Sequence, residues 1–219
     1  PVGRTGGLPA GRINPFLPTG KEGNLMIRDL VEKSRSFRGY DPSYRLTEPD
    51  LLELVDCARL TPSAMNRQPL KYYLAWEQEE TAAIQQVTLP HAGHYPPAFI
   101  VICQDIQISA SLNAFLKDVG IAAQTMLLAA AEKGLGGCMV GNFVPESIRE
   151  ALGLPETLVP QLIVAVGKPD ETVVLTGMPE DGSTAYYRDE NDVHYVPKRP
   201  LAELVIPHTV VQAGADSRG

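Results

Sequence analysis

Apolar positions along this chain fall into stripes of helical spacing and runs of strand spacing, and their order predicts the architecture. Residues 1–24 hold several Gly and Pro, little apolar periodicity and no recognisable element, so they read as a flexible tail or an appended remnant. A helical pattern begins at Met26 and runs through Ile27, Leu30 and Val31, with Asn24 as its cap. The second helix is better marked. Thr47 and Asp50 form a capping box, Pro49 suits the first turn, and Leu51, Leu54, Val55 and Ala58 make one apolar stripe that ends before Pro62. Leu70, Tyr72 and Leu74 alternate with Lys71 and Tyr73, which predicts a strand with one buried face. Ala98 to Cys103 is an unbroken apolar run, which predicts a central strand. Between the two a polar helix or loop is expected, ending in a short Pro-rich stretch.

The longest helix is predicted from about Ser109 to Lys133, with Leu112, Phe115, Leu116, Val119, Ala123, Met126, Leu127 and Ala130 turned inward. Ala129 to Ala131 permits close helix packing, and Gly134 serves as C-cap. A strand at Gly137 to Val140, a short helix from Pro145 to Leu152 closed by Gly153, and a strand at Gln161 to Val166 follow. Tyr186 to Val205 mixes aromatic and charged residues without a clean period and reads as an extended arm. Only one long helix joins two apolar strands as a crossover. The pattern therefore favours an α+β fold, a mixed β-sheet flanked by helices, over a regular doubly wound one. The expected organisation is one domain over 25–206 between tails at 1–24 and 207–219.

Composition narrows the function classes. With 219 residues and 44% hydrophobic content the chain can build one domain with a proper core. A net charge of -7 argues against nucleic acid or an anionic membrane as the main partner, so any basic site must be local. No apolar run approaches the ~20 residues of a bilayer span, and the N-terminal stretch lacks the order of a signal peptide. A soluble, cytoplasmic protein is expected. Cys57, Cys103 and Cys138 are widely spaced in apolar surroundings and read as reduced core thiols. His91 and His94 lack a neighbouring Cys, Asp or Glu to complete a metal site, so a solvated loop is expected there.

Two polar stretches carry the candidate chemistry. Thr61 to Leu70 adds a hydroxyl, two carboxamides and a Pro at each end to a loop that as a plain linker would need only one or two turn-formers. In Ser34-Arg35-Ser36-Phe37-Arg38 two guanidiniums flank a hydroxyl just after a helical segment, an arrangement suited to bidentate contact with phosphate. Together they point to a phosphorylated, ring-bearing cofactor. Gly134-Leu135-Gly136-Gly137 is not a phosphate-cradling loop, because a helix precedes it and a strand follows. Gly136, Gly137 and Gly141 are instead expected to let a flat ring lie against exposed backbone.

These pieces in this order resemble the nitroreductase-like FMN flavoproteins, from Met26 to about Val205. The likeness lies in Arg35 to Arg38, Pro62 to Pro69, Asp118 to Gln124, Gly134 to Gly141, Val166 to Pro169, and Tyr186 to Asp189 through Val196 to Arg199. It implies an intertwined homodimer with two FMN sites at the subunit interface. On that likeness Arg35, Ser36 and Arg38, joined by Lys198 and Arg199, would hold the FMN phosphate. Pro62, Ser63, Asn66 and Gln68 would reach the ribityl chain and flavin edge from the partner subunit. Met139, Val140, Gly141 and Asn142 would lie along the flavin, with a backbone amide of Gly141 or Asn142 directed at its N5. Leu70 and Met139 stand where many members carry Trp, so the pocket wall is less aromatic.

The activity so implied is FMN-dependent oxidation of NADH or NADPH, by ping-pong hydride transfer, with a nitroaromatic, quinone or similar electron-poor compound as acceptor. No catalytic acid or base is assigned. The alternatives are a specialised flavoenzyme of the same fold, either a reductive dehalogenase or a flavin-fragmenting enzyme, and a non-catalytic FMN-binding protein. A hydrolase using Ser63 is disfavoured, because Ser63 lacks a strand-to-helix nucleophile elbow and a His placed to activate it.

Overall fold

The computed structural model describes residues 26–88 and 94–207. Helix α1 (Ile27–Lys33) takes Met26 as its N-cap, while Asn24, the expected cap, lies outside the described residues. Helix α2 (Glu48–Arg59) starts as its sequence predicts: the Thr47 N–H and hydroxyl both donate to Asp50, at 2.8 and 2.6 Å. Strand β1 (Leu70–Ala75), helix α3 (Gln78–Val87) and strand β2 (Ala98–Asp105) follow. His91 lies outside the described residues. Helix α4 (Leu116–Glu132) then leads into strand β3 (Gly136–Val140), helix α5 (Pro145–Ala151) and strand β4 (Leu158–Gly167).

The sheet order is β1-β2-β4-β3, with every neighbouring pair antiparallel. A parallel bridge from Ser36 to Gly137 along the outer side of β3 makes the pairing mixed. Because β2 and β3 both oppose β4, they run the same way, and α4 is the crossover between them. Alternation along the two inner strands splits the core in two. Ile100, Ile102, Val164 and Val166 meet α2 and α4 on one face; Phe99, Val101, Ile163 and Ala165 meet Ile84 of α3 and Ile148 of α5 on the other. Each fully buried Ile or Phe contributes about 1.5–3 kcal/mol. One β-bulge at Gln161, beside Pro160 with its missing N–H, interrupts the β2–β4 ladder.

Several expectations need correction. β1 buries both faces, since Tyr73 and Ala75 pack against the second core and the Tyr73 hydroxyl donates to Glu80 of α3 at 2.7 Å. The long helix begins later than expected: residues 112–115 form a 3₁₀ turn. That tighter winding rotates the stripe, so Phe115 is buried while Leu116 is 48% exposed. The side chain of Leu112 lies outside the described residues. Asn113–Glu132 does have the length and apolar composition of a membrane span, contrary to the sequence reading. It is the core helix, with Ala122, Ala123, Met126 and Ala130 buried within the chain. Cys103 and Cys138 are buried free thiols, but Cys57 is only half-buried.

Tyr186 to Val205 is not a simple arm. Strands β5 (Val173–Gly177), β6 (Tyr187–Arg188) and β7 (His194–Lys198) form a second sheet of order β5-β7-β6, followed by helix α6 (Leu201–Leu204). The β5–β7 pair is parallel and the β6–β7 pair antiparallel. Tyr187 stacks on Tyr195 with ring centroids 5.1 Å apart, and Tyr186 meets His194 edge-on at 5.0 Å.

Gly134 closes α4 as expected, with φ +73°. The Leu135 N–H donates to the Ala130 carbonyl at 2.9 Å and the Gly134 N–H to Ala131 at 3.1 Å, a Schellman pair. Gly136 and Gly137 do not present open backbone. A Cβ on Gly136 would lie 2.4 Å from the Phe37 ring, and one on Gly137 would lie 2.1 Å from the Ala165 carbonyl oxygen. These glycines allow close packing. Gly137→Ala is therefore expected to cost about 3 kcal/mol by overpacking. Gly134→Ala, in open space, should cost only the ~1 kcal/mol of a left-handed φ. Denaturant titration of both variants measures the difference, and equal costs would contradict this packing role.

Candidate functional site

The loop after α2 is built around one carboxylate. Thr61 donates its hydroxyl to the Ala58 carbonyl at 2.7 Å and Pro62 stops the helix. Asp118, in the first turn of α4 and 6% exposed, then accepts the Ser63 hydroxyl at 2.8 Å and the Ala64 N–H at 3.0 Å through the same oxygen. The Ser63 oxygen in turn accepts the Gln68 N–H at 3.0 Å. Met65, Asn66 and Gln68 have φ of 52°, 52° and 51°, a left-handed conformation that costs non-glycine residues about 1–2 kcal/mol each. Asn66 and Gln68 are exposed, and their carboxamides pair with each other at 3.2 Å. A groove beside the loop is lined by Pro62, Ser63, Gln68, Lys71, Tyr72 and Asp118, among others. The Ser63 proton goes to a carboxylate and not to an imidazole, which argues against a hydrolase.

Arg35, Ser36 and Arg38 sit at the opposite edge of the sheet. Leaving α1, the chain runs along β3, where Ser36 bridges Gly137 and the Phe37 N–H donates to the Gly137 carbonyl at 3.0 Å. Glu171, whose side chain is 5% exposed, accepts the N–H groups of Arg38 and Gly39 and an ion pair from Arg188. Burial pushes this carboxyl upward, but those three donors outweigh it and hold the pKa below its ordinary value. Neither guanidinium forms an ion pair among the described residues. One nitrogen of Arg35 donates to the Val31 carbonyl, while its Nε is buried with no partner. Burial pushes the Arg35 pKa down, against the raising effect of Glu32. Arg38 reaches the Ser36 carbonyl at 3.4 Å and lies 5.6 Å from the centre of the Tyr186 ring.

The other expected positions fall as follows. Met139 and Val140 are half-buried on opposite faces of β3, and Gly141 and Asn142 are exposed just beyond it. A Cβ on Gly141 would meet only Leu162, at 3.8 Å, so this glycine, unlike Gly136 and Gly137, does leave its surroundings open. From Gly137 to Gly141 the strand spans about 13 Å. Lys198 ends β7 and is exposed. Arg199 is engaged by Glu203 of α6 at 3.1 Å. The structure thus brings Arg35, Ser36, Arg38 and Met139 to Asn142 onto one edge of the sheet. Pro62, Ser63, Asn66 and Gln68 lead into β1 at the other edge, with β1 and β3 themselves three strand spacings or about 14 Å apart.

A sequence profile of the nitroreductase family matches residues 31–99 and 96–168. The chain belongs to the nitroreductase family. An Archaeoglobus fulgidus protein provisionally named an NADH dehydrogenase/NAD(P)H nitroreductase is 28% identical over 152 residues, covering 65% of this chain and 84% of that one. The crystal structure of a nitroreductase family protein from Clostridium difficile 630 superposes with a TM-score of 0.63 at 24% identity, covering 85% of this chain and 100% of that one. An FMN-dependent nitroreductase from Clostridium difficile R20291 gives 0.57 at 25% identity, over 65% and 87% of the two chains. Within this nitroreductase-family chain the profile spans the Arg35 segment, the Ser63 loop and β3. Glu171, Lys198 and Arg199 lie beyond it.

Sequence reading missed two carboxylates that anchor the candidate segments, Asp118 and Glu171. Asp118 had a usable signal, a single acid on the helix face that carries Ala122 and Met126. Glu171 had none, because its partners are backbone amides 132 and 133 positions away. It also missed His194, which is 3% exposed with both ring nitrogens unpartnered; burial first, then Arg188 and Arg38, lower its pKa. Glu171→Gln is expected to cost about 2 kcal/mol at neutral pH, discounted from the fully buried range because Arg188 is 30% exposed. The folded pKa is depressed, so this stabilisation is present above the ordinary value of 4.5 and is lost as pH falls below it. Denaturation at a series of pH values should show a flatter acid limb for the variant; an unchanged limb would refute the assignment.

Proposed function

We propose that the protein is an FMN-dependent NAD(P)H oxidoreductase acting on electron-poor acceptors such as nitroaromatics or quinones. The observation that carries this reading is the Arg35–Arg38 pair: two cationic side chains that form no ion pair among the described residues, one with a buried, unpartnered Nε. Such a pair fits an anion with several acceptor oxygens, because charge-assisted donors offset the desolvation of a phosphate dianion. Ser36 adds a hydroxyl, and Lys198 and Arg199 would join from the end of β7. The strand length from Gly137 to Gly141 separates that cradle from the open backbone of Gly141 and Asn142, where an amide would donate to a ring nitrogen. Met139 and Val140 would lie along the ring between them.

A flavin held there would supply the redox chemistry, two-electron exchange between NADH or NADPH and the acceptor. The chain's own part is to bind the phosphate, orient the ring and keep one face accessible. Pro62, Ser63, Asn66 and Gln68 lead into β1, at the sheet edge away from this one. A homodimer in which the loop of one protomer faces the Arg35 edge of its partner supplies the missing half. Exposed Met26, Ile27 and Val31 on α1 and Leu201, Leu204 and Ile206 around α6 support burial against a second copy.

The deciding experiment is an absorption spectrum of the purified protein followed by anaerobic addition of NADH and then NADPH. Flavin bands that bleach with either donor, with turnover on a quinone, are the expected result. Bands that persist with both would leave a flavin-binding protein without reductase activity, and no uptake of supplied FMN would refute the cofactor reading. Arg35→Ala combined with Arg38→Ala is expected to weaken FMN binding at least a hundredfold, equivalent to about 2.7 kcal/mol. The melting temperature without FMN should change little. A double variant that keeps full FMN occupancy through dialysis would remove these residues from the phosphate site.

A further inference from the structure

We infer that Asp118 is a positioning residue for the cofactor, acting through Ser63, and that it makes this part of the loop an acceptor of hydrogen bonds. The inference rests on the flavin reading above. A serine hydroxyl has one proton and two lone pairs. The Ser63 proton is committed to Asp118 at 2.8 Å, and one lone pair takes the Gln68 N–H at 3.0 Å. What remains is a single lone pair, beside the groove that Ser63, Gln68 and Tyr72 line. Ser63 can therefore receive a ligand's hydrogen but cannot give one. That polarity suits the hydroxyls of a polyol chain, the ribityl type, and does not suit carbonyl or phosphate oxygens.

Asp118 has the attributes such a role needs. It stands on the longest helix of the described chain, between the buried residues Phe115 and Ala122, and is 6% exposed. An acid in the first turn of a helix often serves its own amide groups. This one instead bonds Ser63 and Ala64, more than fifty positions earlier in sequence. Three left-handed residues within four positions, Met65, Asn66 and Gln68, persist only where neighbouring bonds over-determine the backbone. The anchors are the two bonds to Asp118, the Gln68 to Ser63 bond, and the Asn66 N–H to the Ser63 carbonyl at 2.8 Å. Removing the carboxylate frees the Ser63 proton to turn toward the ligand and releases the strained turn together.

The test compares wild type, D118N, S63A and the double variant of the full chain. Amide hydrogen exchange without FMN reads the clamp alone, and titration with FMN reads its effect on the cofactor. D118N is expected to speed exchange at Ala64 and Gln68 and to raise the FMN dissociation constant about tenfold while unfolding stays cooperative. In the S63A background the D118N effect on FMN should shrink at least threefold, since the two act in series. Should D118N not fold, S63A still reports, by faster exchange at Gln68 and weaker FMN binding. Unchanged exchange, faster exchange with unchanged FMN affinity, or full additivity of the two substitutions would overturn the inference. A wild type that takes up no FMN overturns the flavin reading and this role together. A wild type that binds FMN as tightly as D118N does overturns this role alone.

Discussion

The antiparallel pair β2–β4, buried on both faces, is the constraint on which the rest of the structure depends. Its side chains alternate between two helical layers, so neither strand can shift by one residue without turning every core residue to the wrong layer. The register so fixed sets where β1 and β3 must lie, one on each side. Both recognition segments are attached to those outer strands, the Ser63 loop leading into β1 and the Arg35 segment bridging β3. The separation of the two segments follows from the width of the sheet, and the proposed homodimer would join them.

Each segment is held by the same device. A buried carboxylate receives backbone N–H groups from the segment and one further polar partner: Asp118 takes Ala64 and the Ser63 hydroxyl, and Glu171 takes Arg38, Gly39 and the Arg188 guanidinium. Buried carboxylates are costly unless fully hydrogen-bonded, so each fixes a single loop geometry and tolerates few others. Glu171 also ties the main sheet to the small one, because its Arg188 partner belongs to β6. The Arg38 guanidinium rests on Tyr186 of the same region. The small sheet is thereby part of the support for the basic segment as well as the carrier of Lys198.

What the sequence made legible was local. The Thr47–Asp50 box, the Gly134 cap and the alternation of Leu70, Tyr72 and Leu74 depend on contacts within a few residues, and each is present. The buried second face of β1 was not legible, since Tyr73 owes its place to Glu80 on a helix that packs there. Leu116 was misplaced because it stands at the junction of a 3₁₀ turn with the helix, while Val119, Ala123, Met126 and Leu127 beyond it are buried as expected. Gly136 and Gly137 looked like open backbone until the Phe37 ring and Ala165 carbonyl were seen to fill the space a Cβ would take. The small sheet was hidden for a related reason. Its stabilising contacts, Tyr187 on Tyr195 and Tyr186 on His194, join strands whose short sequences carry no period of their own.

The candidate site follows the same division. Residue types told which chemistry was present, as two arginines and a hydroxyl do for phosphate. Direction and polarity came only from the fold: which donors are already spent, as with Ser63, and which are still free, as with Arg35 Nε. An enzyme whose cofactor performs the bond-making needs few groups of its own that move protons, but it needs the cofactor held in one place. Strained backbone and buried carboxylates are a stability cost that a simple linker would not carry. Strained backbone falls on the Ser63 loop, at Met65, Asn66 and Gln68, and one buried carboxylate anchors each of the two segments that face the proposed cofactor, as a site built for positioning requires.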